Sequence, residues 1–206
     1  MSDEKVDPNS VFLNIPYDDE FRNLYIAYVV GLYQLGLVPH LATEIPGGKR
    51  RLDRIFNLIR SCRYSIHDLS RVELGSNPSA VPRFNMPLEL GMAIAWTELN
   101  PESHTWSVWE SSPFRLQLSA SDLNGTDPNI HHGAAEGVLS EIRNFFVFKD
   151  APTVTQMMKA FKAIEKKTGR ILATAGSSNP YSAAVFKDLC FVALRAANPA
   201  KADFPL

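Results

Sequence analysis

The hydrophobic positions of this chain alternate between two spacings. Short apolar runs are typical of buried strands, and they cover residues 11–14, 38–41, 62–66 and 104–110, with a fifth expected at 115–118. Between these runs, apolar residues recur every three or four positions, which predicts helices over about 21–35, 52–59 and 86–98. Strands that alternate with helices through short connections favour a parallel sheet. We therefore expect an α/β fold, a flavodoxin-like open parallel sheet of four or five strands with helices on both faces.

The strand pattern stops after about residue 122, and the rest of the chain has helical spacing. It predicts helices over about 138–146, 154–167 and 181–197. The last of these is apolar on more than one face, so we expect it to be buried inside the monomer or against a second copy of the chain. The predicted organisation is a flexible tail over 1–10, an α/β domain over 11–150 and an α-helical C-terminal extension over 151–206 packed on that domain.

Composition narrows the class of protein. The 206 residues are 45% hydrophobic and 21% charged, which is ordinary for a soluble globular protein. A net charge of −1 does not indicate a broad nucleic-acid surface, and the basic cluster at 49–51 is interpreted as a solvated helix edge. The first ten residues are polar and no apolar run is long enough to span a bilayer, so we expect a cytoplasmic protein that binds neither membrane nor nucleic acid directly.

The segment 83–93, with the sequence RFNMPLELGMA, marks the start of a helix that leaves a loop. Pro87 suits a first helical turn, and Asn85 or Met86 is the expected cap. Glu89 is then expected in the first turn, near the positive end of the helix dipole. It has two interpretations, a carboxylate that complements the dipole or a carboxylate aimed at a ligand that Gly91 allows to approach closely.

Polar residues at two strand ends give this helix a context. In open α/β sheets, ligands bind beyond the carboxyl ends of the strands where the strand order reverses, which in a flavodoxin-like order lies between the first and third strands. Here those strands end in Asn14–Ile15–Pro16–Tyr17 and in His67–Asp68–Leu69–Ser70–Arg71. The helix that carries Glu89 follows the third strand, so three stretches are expected to converge on one crevice.

The residues at this crevice predict carboxylate chemistry on a phosphate-bearing ligand. Glu89 and Asp68 are the candidate acids, and Arg71 and Arg83 are candidates for binding phosphate in a bidentate fork. Asn14 and Asn85 are candidates for binding sugar hydroxyls, and Tyr17 for stacking on a base or binding a carboxylate. Asp68 is equally interpreted as the cap of the following turn, and His67 as a structural histidine.

Several other site classes are not indicated. The sequence has no dinucleotide fingerprint, no phosphate-binding P-loop and no nucleophile elbow. Its histidines and its two cysteines lack metal-ligand spacing, and the stretch 122–127 is interpreted as a turn because the closing glutamate of a calcium loop is missing. We therefore expect neither a metal nor a resident cofactor.

The strand end 14–17, the turn 67–71 and above all the segment 88–93 resemble the nucleoside 2-deoxyribosyltransferase-like group, which is structurally akin to TIR domains. Bacterial members of both occur in antiphage defence systems. The resemblance implies that Glu89 is the carboxylate that acts on the anomeric carbon of a sugar. Tyr17 corresponds to an early strand-end tyrosine of the transferases. The resemblance also implies a homo-oligomer and a defence-system partner protein.

One departure from the transferases changes the expected activity. They carry an aspartate six residues before the nucleophile, which protonates the base, and here that position is Arg83. The resemblance therefore implies a hydrolase that cleaves the N-glycosidic bond of a nucleotide, NAD above all, with NAD as substrate and Asp68 as the replacement acid. The alternatives are a non-catalytic module that senses a nucleotide or assembles as TIR domains do, and a deoxyribosyltransferase or hydrolase that acts on nucleosides.

Overall fold

A computed structural model of the protein describes residues 6–44, 50–72 and 81–198. The strands in these ranges are β1 (Asp7–Asn14), β2 (Val38–His40), β3 (Cys62–Asp68), β4 (Thr105–Glu110) and β5 (Asn129–Ile130). The helices are α1 (Arg22–Gln34), α2 (Arg51–Ser61), α3 (Asn85–Leu99), α4 (Arg115–Ser119), α5 (Ala135–Phe145), α6 (Val154–Glu165), α7 (Thr168–Thr174) and α8 (Ala183–Ala197). None of the helices in the described ranges combines the length and the apolar character that a bilayer crossing requires.

The strands form one sheet in the order β2-β1-β3-β4-β5. β1 runs parallel to β3, with Asn14 opposite His67, and β3 runs parallel to β4, with Asp68 opposite Trp109. β5 continues the sheet in parallel beyond β4. The predicted α/β fold, with an open parallel sheet in the flavodoxin-like order and with the first and third strands adjacent, is confirmed.

The chain divides into two compact units that interleave along the sequence. The first comprises Met1–Pro16, His40–Ala42 and Pro46–Gly133, and the second comprises Tyr17–Pro39, Thr43–Ile45 and Ala134–Leu206. The predicted division of the chain at residue 150 stays a prediction. The sequence also predicts a turn at 46–48, from its proline and two glycines, and a loop rich in proline, serine, asparagine and glycine over 72–82, but the turn and most of the loop lie outside the described residues.

The core of the first unit contains β3, β4 and the apolar stripe of α3. Met86 and Leu90 of α3 pack with Leu69, Val108 and Leu116 in one buried cluster. The buried residues of α3 recur at positions 86, 89, 90 and 93, which is the spacing of one helix face. This spacing includes Glu89, so a carboxylate lies on the side of α3 that faces the core.

The second unit is built around α1, whose residues from Leu24 to Tyr33 are all buried. α1 packs against α5, α6 and α8. Gly31 allows α5 to approach closely, because a Cβ atom placed there would lie 2.7 Å from Cδ1 of Ile142 and 2.8 Å from Cδ2 of Leu139. The predicted helix over 21–35 is confirmed to within a residue, and Gly36 ends it with a φ of 76°.

The first strand is longer than predicted. β1 begins at Asp7, so residues 7–10 of the expected flexible tail belong to the sheet, while residues 1–5 lie outside the described residues. The polar side chains of this stretch form their own hydrogen bonds. The Ser10 hydroxyl donates to the Asp7 carbonyl oxygen and accepts from the Arg63 backbone N–H. A strand can therefore form here without the apolar pattern that identifies buried strands.

The expected fifth strand at 115–118 is wrong, because these residues form the helix α4. Their alternation has strand spacing over only four residues, and Leu118 is 88% exposed while Leu116 is buried. Arginine, leucine and glutamine are all good helix formers, so a short helix satisfies this stretch. The observed fifth strand, Asn129–Ile130, has two residues, which is too short to show a period. Sequence reasoning also missed α7, between two predicted helices.

The start of α3 differs from the expectation in one respect that concerns the site. The helix begins at Asn85 after Phe84, which forms no side-chain capping hydrogen bond, so neither Asn85 nor Met86 is the cap. Glu89 is consequently the fifth helical residue and lies in the second turn. The dipole effect falls off within the first turn. The interpretation of Glu89 as a first-turn residue that complements the dipole is therefore wrong.

Candidate functional site

Asn14 connects the carboxyl end of β1 to the start of α3. Its side-chain nitrogen donates to the Met86 carbonyl oxygen at 3.0 Å and lies 3.0 Å from Nδ1 of His67. The amide has two N–H groups, so both are committed, and Nδ1 of His67 is the acceptor. Asn14 is 4% exposed. The expected binding of a sugar hydroxyl cannot use these N–H groups, and Asn14 instead positions the helix that carries Glu89.

A row of buried hydrogen bonds continues from Asn14 along β3. Nε2 of His67 donates to the Ser65 hydroxyl at 2.9 Å, and that hydroxyl donates to Nε2 of His104 at 2.8 Å. Nδ1 of His104 donates to the Cys62 carbonyl oxygen at 2.8 Å. Burial lowers the pKa of His67 to about 3, and it also lowers the pKa of His104. Both rings are therefore neutral at physiological pH, which favours the interpretation of His67 as a structural histidine.

Glu89 is the candidate acid whose surroundings differ most from those of an ordinary surface carboxylate. It is 3% exposed and lies on the buried face of α3, one turn after the carbonyl that Asn14 binds. Burial raises the pKa of its carboxyl above the usual value, while the charge of Arg51 and hydrogen bonds from Asn85 and Arg51 lower it. The Glu89 carboxylate is thus largely removed from solvent but keeps two polar partners, Arg51 and Asn85.

Arg51, the first residue of α2, is the cationic partner of Glu89. Its Nη2 lies 3.7 Å from Oε1 of Glu89. The arginine side chain is about half exposed and Asn85 is exposed, so the polar side of the Glu89 carboxylate is the side that solvent reaches. Sequence reasoning placed Arg51 in a solvated basic cluster. Its position at the start of a predicted helix gave no sign of a partner 38 residues away in the chain.

Asp68 ends β3 and is fully buried. Its Oδ1 accepts from the backbone N–H of Ser70 at 3.0 Å and from the Ser70 hydroxyl at 2.6 Å. This is the pattern of an Asx turn, and it supports the interpretation of Asp68 as the cap of the turn that leaves the strand. Its other oxygen, Oδ2, lies 3.2 Å from Nε2 of His131. One oxygen of the Asp68 carboxylate is thus committed to Ser70, and the other faces a buried imidazole nitrogen without the geometry of a hydrogen bond.

His131 and Glu110 complete a buried polar cluster with Asp68 at the carboxyl ends of β3, β4 and β5. Nδ1 of His131 accepts from the Gly133 backbone N–H at 3.0 Å, so a neutral ring carries its proton on Nε2, which among the described residues has no hydrogen-bond partner even though Oδ2 of Asp68 lies 3.2 Å away. Oε2 of Glu110 accepts from the Ser111 N–H at 3.2 Å. Among the described residues, Oε1 of Glu110 has no hydrogen-bond partner.

Burial raises the pKa of Glu110 to about 7, and the nearby charge of Asp68 also raises it. Arg115, whose Nε lies 3.5 Å from Oε2, lowers it, as do the Ser111 N–H and His131. Sequence reasoning missed both Glu110 and His131. Glu110 ends a predicted strand, so the rule applied to the first and third strands would have placed it at the same edge. His131 follows the two-residue strand β5, which the hydrophobic pattern does not reveal.

Tyr17 belongs to the second compact unit. Its ring stacks on the ring of Tyr181 with centroids 4.9 Å apart, and the Tyr181 hydroxyl donates to the Asp18 carbonyl oxygen at 2.6 Å. Tyr25 also packs against Tyr181, with centroids 4.9 Å apart. One face of the Tyr17 ring is therefore occupied by another aromatic ring, and the stacking of Tyr17 on a base stays a prediction.

Arg71 and Arg83 flank the segment 73–80, which lies outside the described residues. Both side chains are half-buried, and the Arg83 backbone N–H donates to the Val72 carbonyl oxygen at 3.0 Å. This bond brings the two ends of the segment together, before the start of α3. The predicted binding of phosphate by these two arginines stays a prediction, as does the contact of Asn85 with a sugar.

In the described ranges no group of three or more histidine, cysteine, aspartate or glutamate side chains is arranged to hold a metal ion. No protein-family model, no curated protein and no solved structure matches this chain.

Proposed function

We propose that this protein hydrolyses the N-glycosidic bond of a nucleotide and that NAD is its substrate. The observation that carries the proposal is the position of Glu89, a desolvated carboxylate on the buried face of α3, the helix that follows β3. The segment 88–93 supports it through its resemblance to the nucleoside 2-deoxyribosyltransferase-like group. By the same resemblance we propose a cytoplasmic homo-oligomer with a role in antiviral defence alongside a partner protein.

Glu89 would act on the positive charge that develops at the sugar carbon. As the C1′–N bond breaks, its electron pair goes to the base nitrogen, and water then forms the C1′–O bond and releases a proton. A preorganised carboxylate lowers the free energy of the oxocarbenium-like transition state, as carboxylates do in glycoside hydrolysis. Arg51 and Asn85 serve this role because they favour the ionised form of Glu89, which burial disfavours.

The contacts of Asp68 with Ser70 and His131 favour NAD over ordinary nucleosides as the substrate. A purine or pyrimidine leaves as an anion unless an acid protonates it, whereas the nicotinamide of NAD is cationic in the substrate and leaves as a neutral molecule. Asp68 is bound to Ser70 and lies beside His131, and Arg83 occupies the position where the transferases carry their acid. A substrate that needs no general acid therefore fits these residues better than one that does.

The test is release of nicotinamide from NAD by the purified protein, measured by chromatography. Glu89→Gln keeps the size of the side chain and removes its charge, so we expect turnover to fall about a hundredfold or more, equivalent to roughly 3 kcal/mol. The matched control is Glu98→Gln, an exposed glutamate on the same helix, which should turn over NAD as the wild type does. Unchanged turnover in Glu89→Gln with an intact fold would reject the proposal.

A second function, a non-catalytic nucleotide sensor, is favoured by one observation. The Glu89 carboxylate already has a cationic partner in its own protein, Arg51. In a sensor, a nucleotide would bind beside this ion pair without bond cleavage. Binding of NAD in calorimetry, without release of nicotinamide over hours, would select this alternative. The third possibility, action on nucleosides, predicts release of a base from deoxynucleosides in the same chromatographic assay.

A further inference from the structure

Two helices of the second unit form a concave surface that the proposed function does not use. Residues of α7 and α8, with Lys167 just before α7, line a cavity of about 520 Å³ that is open to solvent on one side, and we call it the α7–α8 cavity. Its lining residues recur with the spacing of one helix face, at 167, 170, 171 and 174 on the α7 side and at 188, 191, 192 and 195 on α8. Cavities of roughly 300–1,000 Å³ are typical of small-molecule sites.

The α7–α8 cavity is positively charged. Lys167, Arg170 and Arg195 line it together with Asp188, so three positive charges and one negative charge leave a net lining charge of +2. Within the described ranges, none of these three cations takes part in an ion pair. Cations that converge on a concave surface without a carboxylate partner produce a potential that attracts anions.

The floor of the same cavity is apolar. Ile171 is buried, and Phe191 and Val192 are half-buried. The guanidinium carbon of Arg195 lies 5.3 Å from the centroid of the Phe191 ring, which is the geometry of a cation–π contact. This contact places the positive charge of Arg195 next to the apolar ring of Phe191, so a ligand in the cavity can contact both.

We propose that the α7–α8 cavity binds an organic phosphate that has a flat, apolar body. The two guanidinium groups and the Lys167 ammonium suit a phosphate, since arginine binds phosphate oxygens through paired N–H donors. The apolar floor formed by Ile171, Phe191 and Val192 suits the flat body. Asp188 disfavours anions at its own position on α8, so the charged end of the ligand lies away from it.

A suitable probe is 1-naphthyl phosphate, with 1-naphthol and inorganic phosphate as its two separate halves, in titration calorimetry on the full chain. We expect the whole probe to bind at least tenfold more tightly than either half, and its affinity to fall as salt is added. Equal affinity for inorganic phosphate would overturn the proposal, because it would indicate an adventitious ion only. If 1-naphthol binds as tightly as 1-naphthyl phosphate, the proposal is also overturned, because the phosphate group then contributes nothing to binding.

Two variants locate the binding. Arg195→Gln and Arg170→Gln should each lower the affinity for 1-naphthyl phosphate roughly tenfold, which is the scale of one lost pair of charge-assisted hydrogen bonds. The matched control is Lys187→Gln, an exposed lysine on α8 that does not line the cavity, and it should leave affinity unchanged. Glu89→Gln should also bind the probe normally, which separates this site from the proposed active site. Binding that survives both arginine substitutions would overturn the proposal.

Self-association is the competing use of this surface. If α7 and α8 instead contact a second copy of the chain, Arg195→Gln should convert an oligomer to a monomer in sedimentation, and wild-type oligomer should exclude the probe. That pair of results would also overturn the proposal. An oligomeric state that is the same in Arg195→Gln and in the wild type, together with weaker probe binding, would support it.

Discussion

Arg51 and Glu89 form an ion pair whose two members differ strongly in exposure: the arginine side chain is 49% exposed and the glutamate side chain 4%. The desolvation penalty of the pair therefore falls mainly on the Glu89 carboxylate, because the Arg51 guanidinium remains about half exposed to solvent. Burial raises the pKa of Glu89 and Arg51 lowers it, so the two effects oppose each other at one carboxyl group. The ionisation of Glu89 thus depends on a residue from a different helix.

Removing the charge of Arg51 should shift the pH dependence of activity. In Arg51→Gln the pKa of Glu89 rises further, so the proton stays on the carboxyl to higher pH and less of the ionised form is present on the acidic side. We therefore expect the acidic limb of the pH–rate profile to move to higher pH. The control is Arg60→Gln on the same helix, whose guanidinium lies 5.7 Å from the Trp96 ring instead. Equal shifts in both variants would show that the ion pair is not the cause.

Asn14 should be important for stability. Asn14→Leu keeps the shape of the side chain but leaves Nδ1 of His67 as a buried acceptor without a donor, and it removes the second donor of the Met86 carbonyl oxygen, which also accepts within α3. An unsatisfied buried group costs about 1–3 kcal/mol, so we expect the free energy of unfolding to fall by roughly 2 kcal/mol in urea denaturation. Asn9→Leu, an exposed position on the same strand, is the control. Similar losses in the two variants would show that the bonds of Asn14 have no special value.

Glu110 should make stability depend on pH. Its folded pKa of about 7 exceeds the ordinary value of 4.5, so between these values the folded state keeps a proton that the unfolded state loses. Its contribution to stability is therefore full below about pH 4.5 and is lost as pH rises toward 7. Glu110→Gln does not titrate, so its free energy of unfolding relative to the wild type should rise by on the order of 1 kcal/mol from pH 5 to pH 8. The exposed Glu102→Gln should show a constant difference, and a constant difference in Glu110→Gln would contradict the prediction.

Gly31 should be intolerant of a side chain. Alanine is the better helix former by about 1 kcal/mol, but its Cβ would approach Ile142 and Leu139 to less than 3 Å in a buried contact. We expect Gly31→Ala to lower the free energy of unfolding by about 1–3 kcal/mol, measured by urea denaturation. Gly91→Ala is the comparison, because a Cβ there meets no described residue within 4 Å, and it should gain about 0.5–1 kcal/mol. A gain in both variants would show that α5 yields to the added methyl group.

The hydrophobic pattern predicted the sheet because its strands are buried and separated by amphipathic helices. Residues 62–66 show the apolar spacing of a parallel strand, and β3 continues through His67 and Asp68 to where the sheet ends. The same reasoning placed Asn14, Asp68 and the start of α3 at one edge, and the pairing of Asn14 with His67 and the hydrogen bond from Asn14 to the Met86 carbonyl oxygen confirm this. The spacing of apolar residues is sufficient to predict these strands, because the pattern of each strand is contained in its own few residues.

The pattern could not show how each polar group is used. Whether Asp68 is accessible or caps a turn depends on the backbone of Ser70, and whether Glu89 is ionised depends on Arg51. Both partners are common residue types in unremarkable positions of the sequence. The prediction that Glu89 lies in the first turn of α3 was wrong for a related reason. The backbone around Phe84 sets the start of the helix, and no capping side chain marks it in the sequence.

The row of hydrogen bonds from Asn14 to Cys62 has a fixed direction. The Met86 carbonyl oxygen closes one end and the Cys62 carbonyl oxygen closes the other, and each imidazole between them accepts at one nitrogen and donates at the other. The row therefore holds a set number of protons, and one more would make two donors face each other. Turning over the amide of Asn14 would place its oxygen against the acceptor nitrogen of His67, and reversing the row to relieve this would bring an acceptor nitrogen of His104 against the Cys62 carbonyl oxygen, which cannot donate. The orientation of the His104 ring just before β4 and that of the Asn14 amide at the end of β1 are therefore fixed together, through the hydrogen bonds of Ser65 and His67 between them.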